Sequence, residues 1–399
     1  MPSRRAGAVS RAGCSSVIGV RSLVNRPWTW PQKSMAAAVA LPAVAALTLT
    51  GCAEQMFGTD GEDGPDGEGE TVVGVAAEPS DSPGSPGASD ATGTLDDGDE
   101  VLGLVRAGLG DAVSADSPAP VAALEQGRLS IGSLDDLAAG RADTVEVDDS
   151  CTTITGAVDG VVLGCGTSVR ILDTEGQEQR RVDAPGEVTS AAVHPDGTVA
   201  LTVDSDSDVY WFTPEGEEAQ SEDMTATASA MQLVGNTRND EDGDPEWRAA
   251  LIDAAQTSVT DIDIADHSRL AALRIGQGVG TVSAGTEADG VLVASDARRN
   301  QALVYTLTDV IRHTQSVPTG EGAWAVLWDS EREVMWVSTT ADNMLTGYEL
   351  STGTPVEVGQ VPTAPDVRHI IDDGSGDLLL VTADGTRELI SSDDLPRKD

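Results

Sequence analysis

One unit recurs along this chain: an apolar strand, a short polar turn and a second strand. It occurs at 121–134, 160–173, 198–212, 248–264, 291–307, 334–350 and 378–390. Aligned on Leu124, Leu163, Val203, Ile252, Val293, Val337 and Val381, the units stand 39 to 49 residues apart, about 43 on average. The intervening sequence is broken by Gly, Asp and Asn and holds no long amphipathic helix, so the chain is β throughout. A period of ~40–50 residues with several strands per repeat is the mark of a β-propeller. Seven units predict an all-β, seven-bladed β-propeller of four-stranded antiparallel blades over 101–392, with a polar tail at 393–399. The longest step contains the acidic insertion Thr237–Trp247, which is expected as an extended hairpin or loop of the fourth blade. The last unit is too short to supply four strands after those near 366–372, 377–382 and 385–391. Val101–Arg106 is therefore expected to return as its outer strand and close the ring.

His194-Pro195-Asp196-Gly197 precedes the third unit, and Trp328–Arg332 and Asp372–Gly376 occupy comparable turns in the sixth and seventh. These turns resemble those of bacterial YVTN and WD40-like propellers, a loose pattern without WD dipeptides at regular positions.

The first 51 residues carry six positive charges, no acid, and an apolar run from Met35 to Leu49, the layout of an export signal. Leu49-Thr50-Gly51-Cys52 ends that run and resembles the bacterial lipobox. The resemblance implies diacylglycerol, and hence palmitate-type acyl chains, on Cys52, with cleavage before it. The protein is then expected at the cell membrane, lipid-anchored on the extracytoplasmic face. Of the remaining cysteines, Cys14 leaves with the signal. Cys151 and Cys165 flank a hairpin turn, Ala157–Gly160, and face an oxidising compartment, so they are expected to form a disulfide.

Residues 52–100 follow as an acidic linker. Between 54 and 100 lie fourteen acids among Gly, Ser and Pro, with no Lys or Arg. Such a composition buries too little apolar surface to fold and extends by self-repulsion, so it reads as a disordered tether. The whole chain has 24 basic and 67 acidic residues, a net charge of −43. A surface this acidic repels phosphate backbones and anionic headgroups, which excludes nucleic acid as a partner and favours cationic ligands or basic proteins.

The hairpin Cys151…Gly160-Val161-Val162-Leu163-Gly164-Cys165 is similar to one in secreted propellers that act as periplasmic zinc chaperones for metal-uptake transporters. The resemblance implies a metal- or solute-handling propeller that serves an ABC transporter. In that family, histidines near the hairpin help hold zinc. Here Ile154-Thr155-Gly156 stands where a His-containing triplet is expected, and the linker has no His.

A propeller's innermost strands begin around the channel mouth, where ligands commonly bind. Residues at equivalent offsets before the unit anchors are Asp149, Glu187, Gln277, Glu321 and Asp366, with Trp324, Arg368 and His369 close by. An acidic rim with one histidine is suited to Ca²⁺ or another hard cation, to a polyamine, or to a basic peptide. The same residues are suited to a channel-mouth lactonase or hydrolase, with Glu187, Glu321, Arg368 and His369 as its polar cluster. Against metal binding, His194, His267, His313 and His369 fall in four different units with no companion ligand, and His194 reads as a turn residue. His313 is placed at the start of an outer strand. Asp204, Asp206 and Asp208 read as turn chemistry rather than a calcium loop. No nucleophile elbow or phosphate-cradling loop occurs, and no catalytic residue or cofactor is assigned, with Ca and Zn the only metals under consideration. The expected function is that of a membrane-anchored, non-enzymatic binding or scaffold module.

Overall fold

The computed structural model describes residues 74–83, 91–109, 117–224, 228–237, 245–285, 288–351 and 353–397. The segment expected as an export signal, Cys52 and most of the acidic insertion therefore lie outside the described residues. Seven four-stranded antiparallel sheets form the blades of a propeller. Their innermost strands are Val101–Arg106, Cys151–Ala157, Val188–Val193, Ala230–Asn236, Val279–Ala284, Ala323–Asp329 and Val367–Ile371, in blades one to seven. They neighbour one another in turn around the ring, and the first touches the last.

The repeated unit is the middle pair of strands of every blade. In blade two, Gly160–Cys165 is buried at all six positions and pairs with Ser168–Asp173. In blade six, Val334–Thr339 is likewise wholly buried. Such strands are covered on both faces by neighbouring blades, which is why they read as continuous apolar runs. The core is seven clusters, one at each blade-to-blade contact. Trp211 fills the contact between blades three and four, and Trp336 the one between six and seven. The outer strands carry little of this pattern, and Glu218–Asp223 in blade three is almost entirely exposed. Among the described residues, a single short helix, Leu134–Ala138, capped by Ser133, interrupts blade one and seals its contact with blade seven.

Ring closure differs from the sequence expectation. Val101–Arg106 is the innermost strand of blade one, paired with Val121–Glu125. The outer strand of blade seven is Thr94–Asp96, which pairs with Arg387–Leu389. A three-residue strand has no periodicity to read, whereas Val101–Arg106 reads as a strand of unspecified rank. Glu388, fully buried, fixes the closing strand by accepting from the Gly93 amide at 2.9 Å and from the Ala364 amide at 2.7 Å. A buried Glu125–Arg387 ion pair joins blade one to blade seven across the same seam.

Two further boundaries move. Residues 74–83 and 91–100, expected within a free linker, are seated on the propeller. Leu395, expected in a polar tail, is buried in the contact between blades six and seven. Thr237 to Pro245 joins the first two strands of blade four, the location expected for the insertion, and Trp247 belongs to the following strand. Cys151 and Cys165 are disulfide-bonded across the first two strands of blade two, directly opposite one another in register. His194 lies in an inner turn of blade three, and His313 near the start of the outer strand of blade five.

Candidate functional site

Each innermost strand runs from an upper face of the ring, where it begins, to a lower face, where it ends. Asp149, Glu187, Gln277, Glu321 and Asp366 stand one or two residues before the inner strands of blades two, three, five, six and seven, so all five line up on the upper face as the repeat implies. Asp149, Glu187, Gln277 and Glu321 are exposed on four separate blades. The Gln277 amide is engaged by Asp296 at 3.1 Å, and the Asp149 carbonyl accepts from Gln126 at 2.9 Å.

Only Trp324, Asp366 and Arg368 come together. Asp366, in the left-handed region at φ 61°, pairs with Arg368 at 2.8 Å. The Arg368 guanidinium lies 5.7 Å from the Trp324 ring centre. His369 points away from this group and spends Nε2 on the Val101 carbonyl at 3.1 Å. Burial depresses its pKa to about 4, so it is a neutral hydrogen-bonding residue of the blade seven to blade one seam. Among the described residues, no three His, Cys, Asp or Glu side chains gather closely enough to share a metal ion. Asp206 accepts from the Asp208 amide at 3.0 Å and from the Tyr210 hydroxyl at 2.9 Å, as a turn residue does.

Residues 74–83 cross the upper face beside this rim. Arg298 of blade five donates to the carbonyls of Val75 and Ala76 at 2.9 and 3.2 Å. Farther on, Ser82 donates to Asn343 of blade six at 2.7 Å. Ala77 packs on Gly278, where an added side chain would collide with it, and Ser80 packs closely on Gly322. The linker's carbonyls, rather than its carboxylates, hold it down, which is why its acidic composition gave no sign of docking.

Between the inner strands lies a cavity of about 70 Å³. Leu104, Leu233, Leu327 and Ile370 line it, together with Ser283 and Arg106. Arg106 is buried at the lower end of its strand. It donates to the Ala284 carbonyl at 3.0 Å and pairs with buried Asp372 at 3.2 Å. Its Nη1 has no hydrogen-bond partner among the described residues. Burial raises the Asp372 pKa to about 6; Arg106 opposes that rise, and Asp329 and Asp373 add to it. Nearby, Asp329 pairs with Arg332 at 2.8 Å and Trp328 donates to Asp289 at 2.6 Å. Burial also pushes the Asp289 carboxyl upward.

This lower cluster was missed by the sequence reading, although Asp329 and Asp372 both stand where an inner strand ends. Chemically it supplies one proton-sharing carboxyl beside a guanidinium. The space holds a few waters, far below the ~300–1,000 Å³ of sites that enclose organic ligands.

The sequence matches no protein-family model and no curated protein. Solved structures similar to it include the β-propeller domain of Myceliophteria thermophila Cps50 (Swd1), with TM-score 0.54 and 13% identity over 74% of this chain and 97% of that one. The WD40 domain of Neurospora crassa Pan2 is similar with TM-score 0.50 and 10% identity, over 75% of this chain and 95% of that one. At these identities the likeness shows a WD40-like propeller fold and nothing finer.

Proposed function

We propose that this protein is a lipid-anchored, extracytoplasmic propeller that acts as a non-enzymatic binding or scaffold module. It would present acidic faces to a cationic ligand, a basic protein or a component of an ABC transporter. The observation that supports the binding half of this reading is the small size of the inner cavity. A space of about 70 Å³ among the described residues is too small for an organic ligand, which leaves the faces and blade edges to meet partners. The anchoring half rests on the lipobox at Leu49–Cys52, and the acidic balance of 67 against 24 supports the choice of cationic partners.

The experiment is expression of the full chain in a bacterium with labelled palmitate, beside Cys52→Ser. The wild type is expected to take up label and sediment with membranes, and the variant to do neither. A variant that stays labelled and membrane-bound refutes the anchor. Turnover of a lactone panel by the purified protein, lost in His369→Ala, refutes the non-enzymatic reading.

A further inference from the structure

On the upper side of the ring, between the outer strand of blade four and the outer strands of blade five, lies a groove of about 630 Å³. Its polar lining includes Arg274, Gln277, Arg299, Tyr305, His313 and Ser316, and no carboxylate lines it. This is unusual on a chain with nearly three acids for each base. Asp296, which ends the second strand of blade five, is fully buried. Its oxygens already accept from the amides of Gln277 and Gly278 and from the Gln301 side chain.

Neither arginine is neutralised. Arg274 donates to the Gln256 carbonyl and to the Thr257 hydroxyl, both uncharged. Its backbone is held by the Tyr305 hydroxyl, which donates to the Arg274 carbonyl at 2.6 Å. The Arg299 guanidinium makes no hydrogen bond or ion pair within the described residues. Its neighbour Arg298 is occupied in holding the strap's carbonyls. The Tyr305 and His313 rings, 5.3 Å apart and tilted by 46°, stand on the two outer strands of blade five, with Tyr305 buried and His313 exposed.

We propose that this groove binds a small oxyanion ligand, a carboxylate or a phosphate, gripped by Arg274 and Arg299 and flanked by Tyr305 and His313. The guanidinium fork matches both oxyanions in geometry and charge. The volume is that of a ligand site. The overall negative field opposes an anion at long range. At physiological salt that field is screened beyond ~8 Å, while a direct hydrogen-bonded contact is not. This site goes beyond the scaffold reading and does not depend on Cys52.

The test is calorimetric titration of the full chain with inorganic phosphate and with citrate at about physiological salt. One saturable site is expected for at least one of them, and which anion saturates identifies the ligand class. Arg299→Gln, on an exposed turn, is expected to weaken binding about tenfold, the worth of one charge-assisted contact. Arg274→Gln is expected to do the same, with unchanged circular dichroism as the check on folding. Arg141→Gln, which removes an exposed arginine paired with Asp136 on blade one, is expected to leave binding unchanged. No saturation by either anion at about 10 mM overturns the site. So does binding that is indifferent to Arg299→Gln, or that falls equally in Arg141→Gln.

Discussion

The buried pair at the lower end of the channel makes stability depend on pH in a calculable way. Asp372 has a folded pKa of about 6 against an ordinary 3.8. That rise of about two units, at ~1.4 kcal/mol each, is worth about 3 kcal/mol. A raised carboxyl binds its proton more tightly in the folded than in the unfolded chain. The stability it contributes is therefore full below about pH 4 and lost as pH rises through about 6. Among the described residues, Arg106 is the only cation paired with Asp372. Arg106→Met leaves an uncompensated buried carboxylate, and the expected loss near pH 8 is about 3–5 kcal/mol. Near pH 5, where Asp372 is mostly protonated, the loss should shrink by roughly half. Asp372→Asn should remove the pH step, and adding it to Arg106→Met should recover much of the loss. Urea denaturation of the four proteins at the two pH values measures all of this. Asp261, also raised to about 6 by burial, titrates in the same window, so the difference from Asp372→Asn is the quantity to read. An Arg106→Met loss of equal size at both pH values, or strict additivity of the two substitutions, refutes the reasoning.

A chain that starts at residue 92 should melt like the full protein. One that starts at 98 loses Thr94–Asp96 and the Gly93 donor to buried Glu388. It should lose about 1–3 kcal/mol for the carboxylate oxygen left without its Gly93 donor, although Oε2 keeps the Ala364 amide, read as a lower urea midpoint; identical midpoints would remove Thr94–Asp96 from its role in ring closure. The Cys151–Cys165 bond spans 14 residues, so replacing both cysteines by Ala should cost about 3 kcal/mol. Denaturation of the double variant and of the wild type with reductant should agree, and an unchanged midpoint would place the hairpin's rigidity elsewhere.

The blades were legible because burial on both faces writes an unbroken apolar run into the middle strands. Val161, Leu163, Trp336 and Val337 carry it. The outer strands face water and carry no such record, so Glu218–Asp223 could be placed only by counting. The upper rim was legible to the extent that the repeat fixes equivalent positions. It could not show that His369 would turn inward to Val101, because that contact exists only where the two ends of the chain meet. Arg106 and Asp372 were hidden for the same reason: each is an ordinary charged residue at the end of a strand until the ring closes between them.

With Cys52 lipidated as proposed, the docked strap would also set how far the propeller can travel. A linker free from Cys52 to residue 100 would be 48 residues long, whereas among the described residues the chain already meets the blades at Gly74, 22 residues after Cys52. At ~3.5 Å per residue the maximum span falls from about 170 Å to about 75 Å. The described strap begins against the turn near Ala255 in blade four. In the proposed lipidated form the ring would hang by its rim, and pulling on it would tip blade four toward the bilayer. Freeing the strap, by loss of the Arg298 and Asn343 contacts, would more than double the radius of membrane that the protein can search.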